Sequence, residues 1–171
     1  MKNTKTKFLN RSESKILAHK KQNSFLTLQN PRFLQKIIFL LIALILLVGC
    51  NKNPTVTINN QIVHVELAQD NIEITQGLMY REHLDENTGM LFLFPNEQKR
   101  TFWMKNTFIP LDIIFISAEK EIVKIQNAVP CKEDPCDIYP SNKPAKYVLE
   151  VNANFSEEHK IIEGMTVNIN I

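Results

Sequence analysis

The residues best suited to chemistry lie in one short segment near the middle of the chain. If this segment is a strand, alternation puts Phe102 and Met104 on one face and Trp103 and Lys105 on the other, with Asn106 following directly. An indole ring beside an amine and an amide can stack on a sugar ring while the polar groups bond its hydroxyls. The pattern predicts a binding surface that suits a glycan. The alternative is that Trp103 covers one end of the core.

Asp112 is the strongest anomaly, because it is an acid inside an apolar run that reads as a strand. A buried carboxylate must be hydrogen-bonded, paired or neutralised. One interpretation is structural: Asp112 accepts backbone N–H bonds from residues 106–109 or pairs with Lys105. The other is functional: Asp112, Lys105 and Asn106 converge on one polar pocket. In an enzyme, Asp112 would then be the acid or base, and Lys105 or Arg81 would fix charge.

Cys131 and Cys136 enclose four residues in a proline-rich stretch. We predict a structural disulfide, which closes so small a loop that it stabilises by only about 2 kcal/mol and mainly shapes that stretch. A redox-active pair and a metal site are the alternatives. The spacing differs from the two residues of redox motifs and zinc knuckles, and no histidine lies nearby. The sequence predicts neither a metal nor another cofactor.

The N-terminal part has the pattern of an export signal. Residues 1–36 carry nine Lys or Arg against one acid, and residues 37–48 carry no charge. Twelve helical residues reach about 18 Å, well short of the ~30 Å hydrocarbon core of a membrane, which disfavours an uncleaved span. The run 47–50, Leu-Val-Gly-Cys, resembles the lipobox of bacterial lipoproteins. It predicts a signal peptide over residues 1–49 and a lipid on Cys50 that tethers the protein to a membrane.

The charge of the remaining chain excludes some partners. Residues 50–171 hold eleven basic and seventeen acidic side chains, a net charge near −6. A nucleic-acid partner would need a basic stripe, which this composition does not offer. Anionic lipid would not attract the domain either, so the lipid must hold it at the membrane. Asn51, which follows the cysteine, resembles the residue found in lipoproteins sent to an outer membrane.

Residues 60–171 are predicted to form one mainly β (α+β) domain, with residues 50–59 as the lipidated tether and the start of the first strand. Asn59-Asn60 suits a two-residue hairpin turn, and Asp70 with Glu73 is a capping box that begins a helix over 71–79. Four prolines predict an irregular loop over 126–146. Short connections favour a small antiparallel barrel or sandwich over a βαβ sheet. The predicted strands cover 55–58, 61–67, 89–94, 101–105, 111–116, 122–125, 147–151 and 166–171, with a second short helix from Ser156 to Gly164.

Several segments resemble, in order and spacing, the domain of unknown function 192 family. They are residues 77–81, 89–94, 102–107 and 109–113, and the tail 147–151 with Gly164 fits as well. The resemblance covers about residues 60–170. Members of that family are often exported or lipid-anchored, but the resemblance implies no activity.

The chain departs from this family at two places. Asn154-Phe155 stands where the family usually has Gly, and Asn can take a left-handed conformation at modest cost. Gly164-Met165 stands where the family often has Gly-Asp, and the missing carboxylate argues against a catalytic role there.

Together these patterns favour a lipid-anchored, extracytoplasmic module that binds a cell-envelope glycan or peptide. The candidate binding residues are Trp103, Lys105, Asn106, Asp112 and Arg81. An enzyme that acts on envelope glycan or peptide and a non-catalytic scaffold are the alternatives.

Overall fold

The computed structural model describes residues 31–32, 35–36, 38–39 and 53–171. The chain divides into two compact units, Met1–Asn51 and Lys52–Ile171. In the first unit the described residues are helical. No helix among the described residues is long and apolar enough to cross a membrane. Cys50 and most of the predicted signal peptide lie outside the described residues.

Within residues 53–171 the chain forms seven strands and two short helices. In chain order they are β1 (Thr55–Ile58), β2 (Gln61–Ala68), α1 (Asn71–Gln76), β3 (Thr88–Trp103), β4 (Leu111–Ile116), β5 (Ile122–Ala128), β6 (Ile138–Asn152), α2 (Phe155–Glu158) and β7 (Val167–Asn170).

The strands form one curled sheet in the order β5-β4-β6-β3-β2-β1-β7. Its two edge strands meet at one end, where Glu121 bridges to Thr166. Two backbone bonds support this contact, from Ile122 N–H to the carbonyl of Met165 (2.9 Å) and from Gly164 N–H to the carbonyl of Ile122 (2.8 Å). The predicted mainly β domain with two short helices is confirmed, and its curl is that of a partly closed barrel.

Local patterns placed the first turn and the first helix correctly. Asn59 and Asn60 both have positive φ, 47° and 66°, as a hairpin turn between β1 and β2 requires. The side chain of Asp70 accepts hydrogen bonds from the first turn of α1, and Glu73 completes the predicted capping box. The helix ends earlier than predicted, because Gly77 takes φ +48°.

Apolar side chains cover both faces of the sheet centre, so the domain has two core clusters. β4 is buried along its whole length, and its alternate residues belong to different clusters. Side chains from α2 and the following segment join the first cluster, and side chains from α1 and residues 78–84 join the second. The first includes Val56, Ile58, Leu91, Ile114, Leu149 and Phe155, and the second includes Leu78, Met90, Phe92, Met104, Ile113 and Val148.

The predicted separation of residues 89–94 and 101–105 into two strands is wrong, because residues 89–94 and 101–103 belong to one strand, β3, and residues 104–105 lie beyond its end. The polar residues between these two segments continue the strand, and no turn interrupts it. The register of β3 against β6 shifts twice, before Gln98 and before Thr101. Extra residues in one strand of a pair form such bulges and bend the strand.

The predicted irregular loop over 126–146 is too long at both ends, because β5 extends to Ala128 and β6 begins at Ile138. Pro140 and Pro144 lie within β6, where they pair with Thr101 and Lys99 of β3. A strand tolerates proline where its missing N–H would not face the partner strand. Proline content alone therefore overestimated the loop.

The prediction of a purely antiparallel sheet also needs correction. β2 and β3 pair in parallel, from His64 with Thr88 to Ala68 with Phe92. The connection between them contains α1 and is long enough for a crossover. The other strand pairs within residues 53–171 are antiparallel.

Candidate functional site

Trp103 lies at the end of β3 and is half exposed, with 50% of its surface accessible. It pairs across the sheet with Ile138, which is 65% exposed. The amine of Lys105 lies 5.7 Å from the centroid of the Trp103 ring. Phe102 and Met104, in contrast to Trp103 and Lys105, pack in the second core cluster. The predicted alternation of faces is therefore confirmed.

Asn106, the residue after Lys105, contacts an aromatic pair. Its side-chain amide donates to the hydroxyl of Tyr80 (2.9 Å), and its carbonyl accepts from the backbone N–H of Tyr80 (2.8 Å). The ring of Tyr80 makes an edge contact with Phe108 at 6.1 Å between centroids, and both rings are more than half exposed. We call the exposed surface formed by these residues the Trp103 face: Tyr80, Trp103, Lys105, Asn106, Phe108 and Ile138.

The backbone beneath this face is strained. Tyr80 has φ 64° and Asn106 has φ 56°, both in the left-handed region. A bulky residue such as tyrosine rarely adopts this conformation, which costs an L-residue about 1–2 kcal/mol. Such outliers gather at functional sites.

The disulfide loop holds Lys105 beside the Trp103 ring. Cys131 and Cys136 are bonded, with Cα atoms 5.4 Å apart, as predicted. Asp134, between them, binds the amine of Lys105 at 3.1 Å. The Sγ atoms and the Asp134 carboxylate lie within 4.8 Å of one another, but two sulfurs joined in a disulfide are not the thiolates that a metal would need.

Asp112 is fully buried and belongs to a different site. Its carboxylate accepts from the side-chain amide of Asn127 (2.7 Å) and from the backbone N–H groups of Asn154 (3.2 Å) and Ser156 (2.8 Å). It therefore ties β4 to β5 and to the start of α2. The predicted structural role stands, but the predicted donors in residues 106–109 and the predicted pairing with Lys105 are wrong.

Arg81 lines another cavity. Its guanidinium binds both carboxylate oxygens of Glu66, each at 2.6 Å. This bond raises the pKa of Arg81 and lowers that of Glu66. The pair lines a cavity of about 360 Å³ with His64 and His83 among others. Of the five candidates, the structure therefore brings Trp103 and Lys105 together. Asn106 follows Lys105 in the chain and directs its side chain to Tyr80, and Arg81 and Asp112 lie in other environments.

Glu150 is a buried acid that sequence reasoning missed. It is 5% exposed, and no described residue gives its carboxylate a hydrogen bond or an ion pair. It pairs with Met90 on one side and Ile113 on the other, in the second core cluster. Burial raises the pKa of Glu150 to about 8. The same pattern that drew attention to Asp112, one acid in an apolar strand, could have found it.

Comparisons with known proteins place the chain in a family. The profile of domain of unknown function 192, described as an uncharacterized ACR, matches residues 54–169. The chain belongs to this family. Among curated proteins nothing matches. The segments that carried the resemblance meet in space, because residues 77–81 and 102–107 contact each other through Tyr80 and Asn106.

Two crystal structures are similar to this family member. One, from Sinorhizobium meliloti, is described as a candidate transcription regulator and is 35% identical, with a TM-score of 0.62 over 68% of this chain and 91% of its own. The other, from Novosphingobium aromaticivorans, is a protein of unknown function and is 36% identical, with a TM-score of 0.61 over 67% and 82%. In both, the likeness extends across most of the solved chain.

Replacing the buried aspartate tests its structural role. We expect Asp112→Asn to lower the free energy of unfolding by about 1–3 kcal/mol, because an amide N–H₂ would face at least one of its three donors. Urea unfolding measures this change. The exposed Asp137→Asn serves as the control and should stay within about 0.5 kcal/mol of the parent. Equal midpoints for Asp112→Asn and the parent would contradict the assigned role.

The raised pKa of Glu150 predicts how stability depends on pH. The folded state keeps the Glu150 proton up to pH about 8, whereas the unfolded chain loses it near 4.5. The folded state therefore binds more protons in this window, and the free energy of unfolding falls as pH rises through it.

We expect Glu150→Gln to remove this decline. The variant should match the parent near pH 4.5 and exceed its stability by a few kcal/mol above pH 8, as urea unfolding over a pH series would show. Glu82→Gln, at an exposed position, should keep the slope of the parent. Identical slopes for parent and Glu150→Gln would exclude a buried, protonated Glu150.

Proposed function

We propose that this protein is a lipid-anchored, extracytoplasmic module that binds a cell-envelope glycan on its Trp103 face. The observation that carries the proposal is the half-exposed Trp103 ring with an amine 5.7 Å from its centroid. A ring that only sealed the core would be buried, as Phe92 and Phe115 are. Tryptophan is enriched among the residues that carry most of the binding energy of interfaces.

The chemistry of the Trp103 face suits a sugar. The indole ring offers a flat apolar surface, while Lys105 and Asn106 offer donors for hydroxyl groups. Tyr80 and Phe108 provide a second aromatic position next to Asn106. The face therefore has more than one ring on which a chain of sugars could rest.

The anchor follows from sequence alone. A basic segment, an uncharged run of twelve residues and the Leu-Val-Gly-Cys sequence at 47–50 support export and lipidation of Cys50. Export to an oxidising compartment also agrees with the bonded pair Cys131–Cys136. Asn51 supports an outer-membrane destination.

A role in transcription, suggested by the name of one structural neighbour, has less support. Residues 50–171 carry a net charge near −6, and DNA binding relies on cations that neutralise phosphates.

A proton-transfer enzyme is the second candidate function, and Glu150 is the observation that favours it. A protonated, unpaired carboxyl group at neutral pH is suited to act as a general acid. Asp112 is less suited, because three hydrogen bonds already occupy its carboxylate. A scaffold without a small-molecule site remains the third reading of the exposed apolar residues on the Trp103 face.

Because Trp103 is the single tryptophan of the chain, its fluorescence reports directly on the proposed site. We expect soluble cell-wall glycan fragments, titrated into the chain in detergent micelles, to shift the emission to shorter wavelength and to protect it from acrylamide. By calorimetry, Trp103→Ala should weaken binding about tenfold or more. Ile162→Ala, at an exposed position between α2 and β7, should leave affinity unchanged. Emission that no glycan fragment changes would contradict the proposal.

Lipidation is tested separately by growing cells with an alkyne-tagged fatty acid. The parent chain should carry the tag, and Cys50→Ala should lose it completely, because the thiol of Cys50 is the proposed acceptor. A double variant, Cys131→Ser with Cys136→Ser, removes the other two cysteines and should keep the tag. A tag that persists in Cys50→Ala would overturn the anchor.

A further inference from the structure

We propose that the outer edge of β3 over residues 99–103, together with α1, is a docking groove for an extended acidic peptide that adds to the sheet as a strand. This goes beyond the glycan site, because the contacts that carry it are backbone groups and cations. The Trp103 ring is not required for strand addition.

The edge is open because β2 leaves β3 early. β2 pairs with β3 only as far as Ala68 with Phe92. On the other side, β6 continues to pair with β3 as far as Trp103 with Ile138. Among the described residues, β3 therefore has a neighbouring strand on one side only from residue 93 onward.

Proline shows which backbone groups point outward. Lys99 pairs with Pro144 and Thr101 pairs with Pro140. Proline has no N–H, so neither pair can exchange the two hydrogen bonds of a bonded pair. Arg100 N–H, in contrast, points toward β6 and donates to Ser141 Oγ at 2.9 Å.

Alternation along the strand then directs the N–H and C=O groups of Lys99, Thr101 and Trp103 away from β6. No other backbone partner contacts these groups in the part of the chain that the structure describes. Three residues with outward donors and acceptors are what an added strand requires.

A groove runs beside this edge. It has a volume of about 370 Å³ and lies between α1, through Ile74 and Thr75, and β3, through Phe94 and residues 98–103. Ile74 and Phe102 also contact the second core cluster, so this wall of the groove is apolar. The side chains of Lys99, Thr101 and Trp103 alternate to the other face of β3 and are exposed.

The charge of the groove selects the partner. Its lining contains Lys99 and Arg100 and no carboxylate. Among the described residues, the guanidinium of Arg100 bonds only neutral oxygen atoms, of Asn96 and Ala145, and it stacks on Phe94 at 3.9 Å. No described residue forms an ion pair or hydrogen bond with the amine of Lys99. Two cations without carboxylate partners, in a domain of net charge near −6, favour an acidic peptide over a basic one.

Strand alternation also sets the pattern of the peptide. Residues on one face of an added strand would meet Lys99, and those on the other would meet the wall of Ile74 and Phe102. The fitting partner is an extended segment in which acidic and apolar side chains alternate.

The test uses a capped hexapeptide of alternating glutamate and valine, titrated into the full chain in detergent micelles by calorimetry. We expect saturable binding to the parent chain. The same peptide N-methylated on alternate residues should bind about tenfold more weakly or not at all, because it lacks the N–H donors that bond to a neighbouring strand. A lysine–valine peptide should be weakened as much, because it lacks the negative charge. No binding of the glutamate–valine peptide, or equal binding of all three, overturns the proposal.

Two pairs of variants locate the binding on β3. Thr101→Pro removes an outward N–H and should weaken the peptide about tenfold, whereas Thr101→Ala keeps the N–H and should bind within about twofold. Lys99→Glu should weaken the acidic peptide, whereas Lys160→Glu, which makes the same charge change at an exposed position outside the groove, should not. Equal affinity of Lys99→Glu and Lys160→Glu would contradict the groove.

Thr101→Pro should keep the cooperative urea unfolding of the parent chain, which shows that the variant is folded, and should also keep the response of Trp103 fluorescence to glycan fragments. The two proposals therefore fail separately. A variant that loses peptide binding but keeps the glycan response would place peptide binding at the β3 edge. A variant that loses the glycan response but keeps peptide binding would place glycan binding on the Trp103 face.

Discussion

The pairing of β3 with β6 is the constraint on which the rest of the structure depends. It begins at Gly89 with Val151 and ends at Trp103 with Ile138. A Cβ on Gly89 would lie 2.4 Å from the backbone oxygen of Glu150, so only glycine permits this approach. The first half of the pair lies in the centre of the sheet and joins both core clusters. The second half extends past β2 and carries the exposed residues, so the core and the candidate sites share the same two strands.

The parts of the fold that the sequence predicted correctly depend on nearby residues. The turn at Asn59 and Asn60 and the capping box of Asp70 and Glu73 each involve contacts within a few positions. The parallel pairing of β2 with β3 depends on contacts between distant segments, which periodicity does not reveal. Pro140 and Pro144 show the same limit, because whether a proline ends a strand depends on which way the partner strand lies.

Two acids show how far the site could be predicted. Asp112 and Glu150 both stand in apolar strands, and both are buried. Asp112 meets three donors, two of them backbone N–H groups near the start of α2, whereas Glu150 meets none among the described residues. The sequence shows that each acid must be satisfied or neutralised, but the fold decides which of these happens. Asp112 therefore became a structural acceptor, and Glu150 became the acid with the raised pKa.

The shape of the Trp103 face is imposed by the core beneath it. Tyr80 and Asn106 hold left-handed conformations, and each lies two positions from a residue that is only 2% exposed, Leu78 and Met104. These anchors in the second core cluster, with the mutual hydrogen bonds of Tyr80 and Asn106, offset a backbone strain of about 1–2 kcal/mol at Tyr80 and a smaller one at Asn106. Aromatic groups fixed in this way lose little conformational entropy when a ligand binds, so more of the contact energy appears as affinity. A flexible loop with the same residues would lose more conformational entropy on binding the proposed glycan, so the rigid backbone is consistent with the proposed binding role.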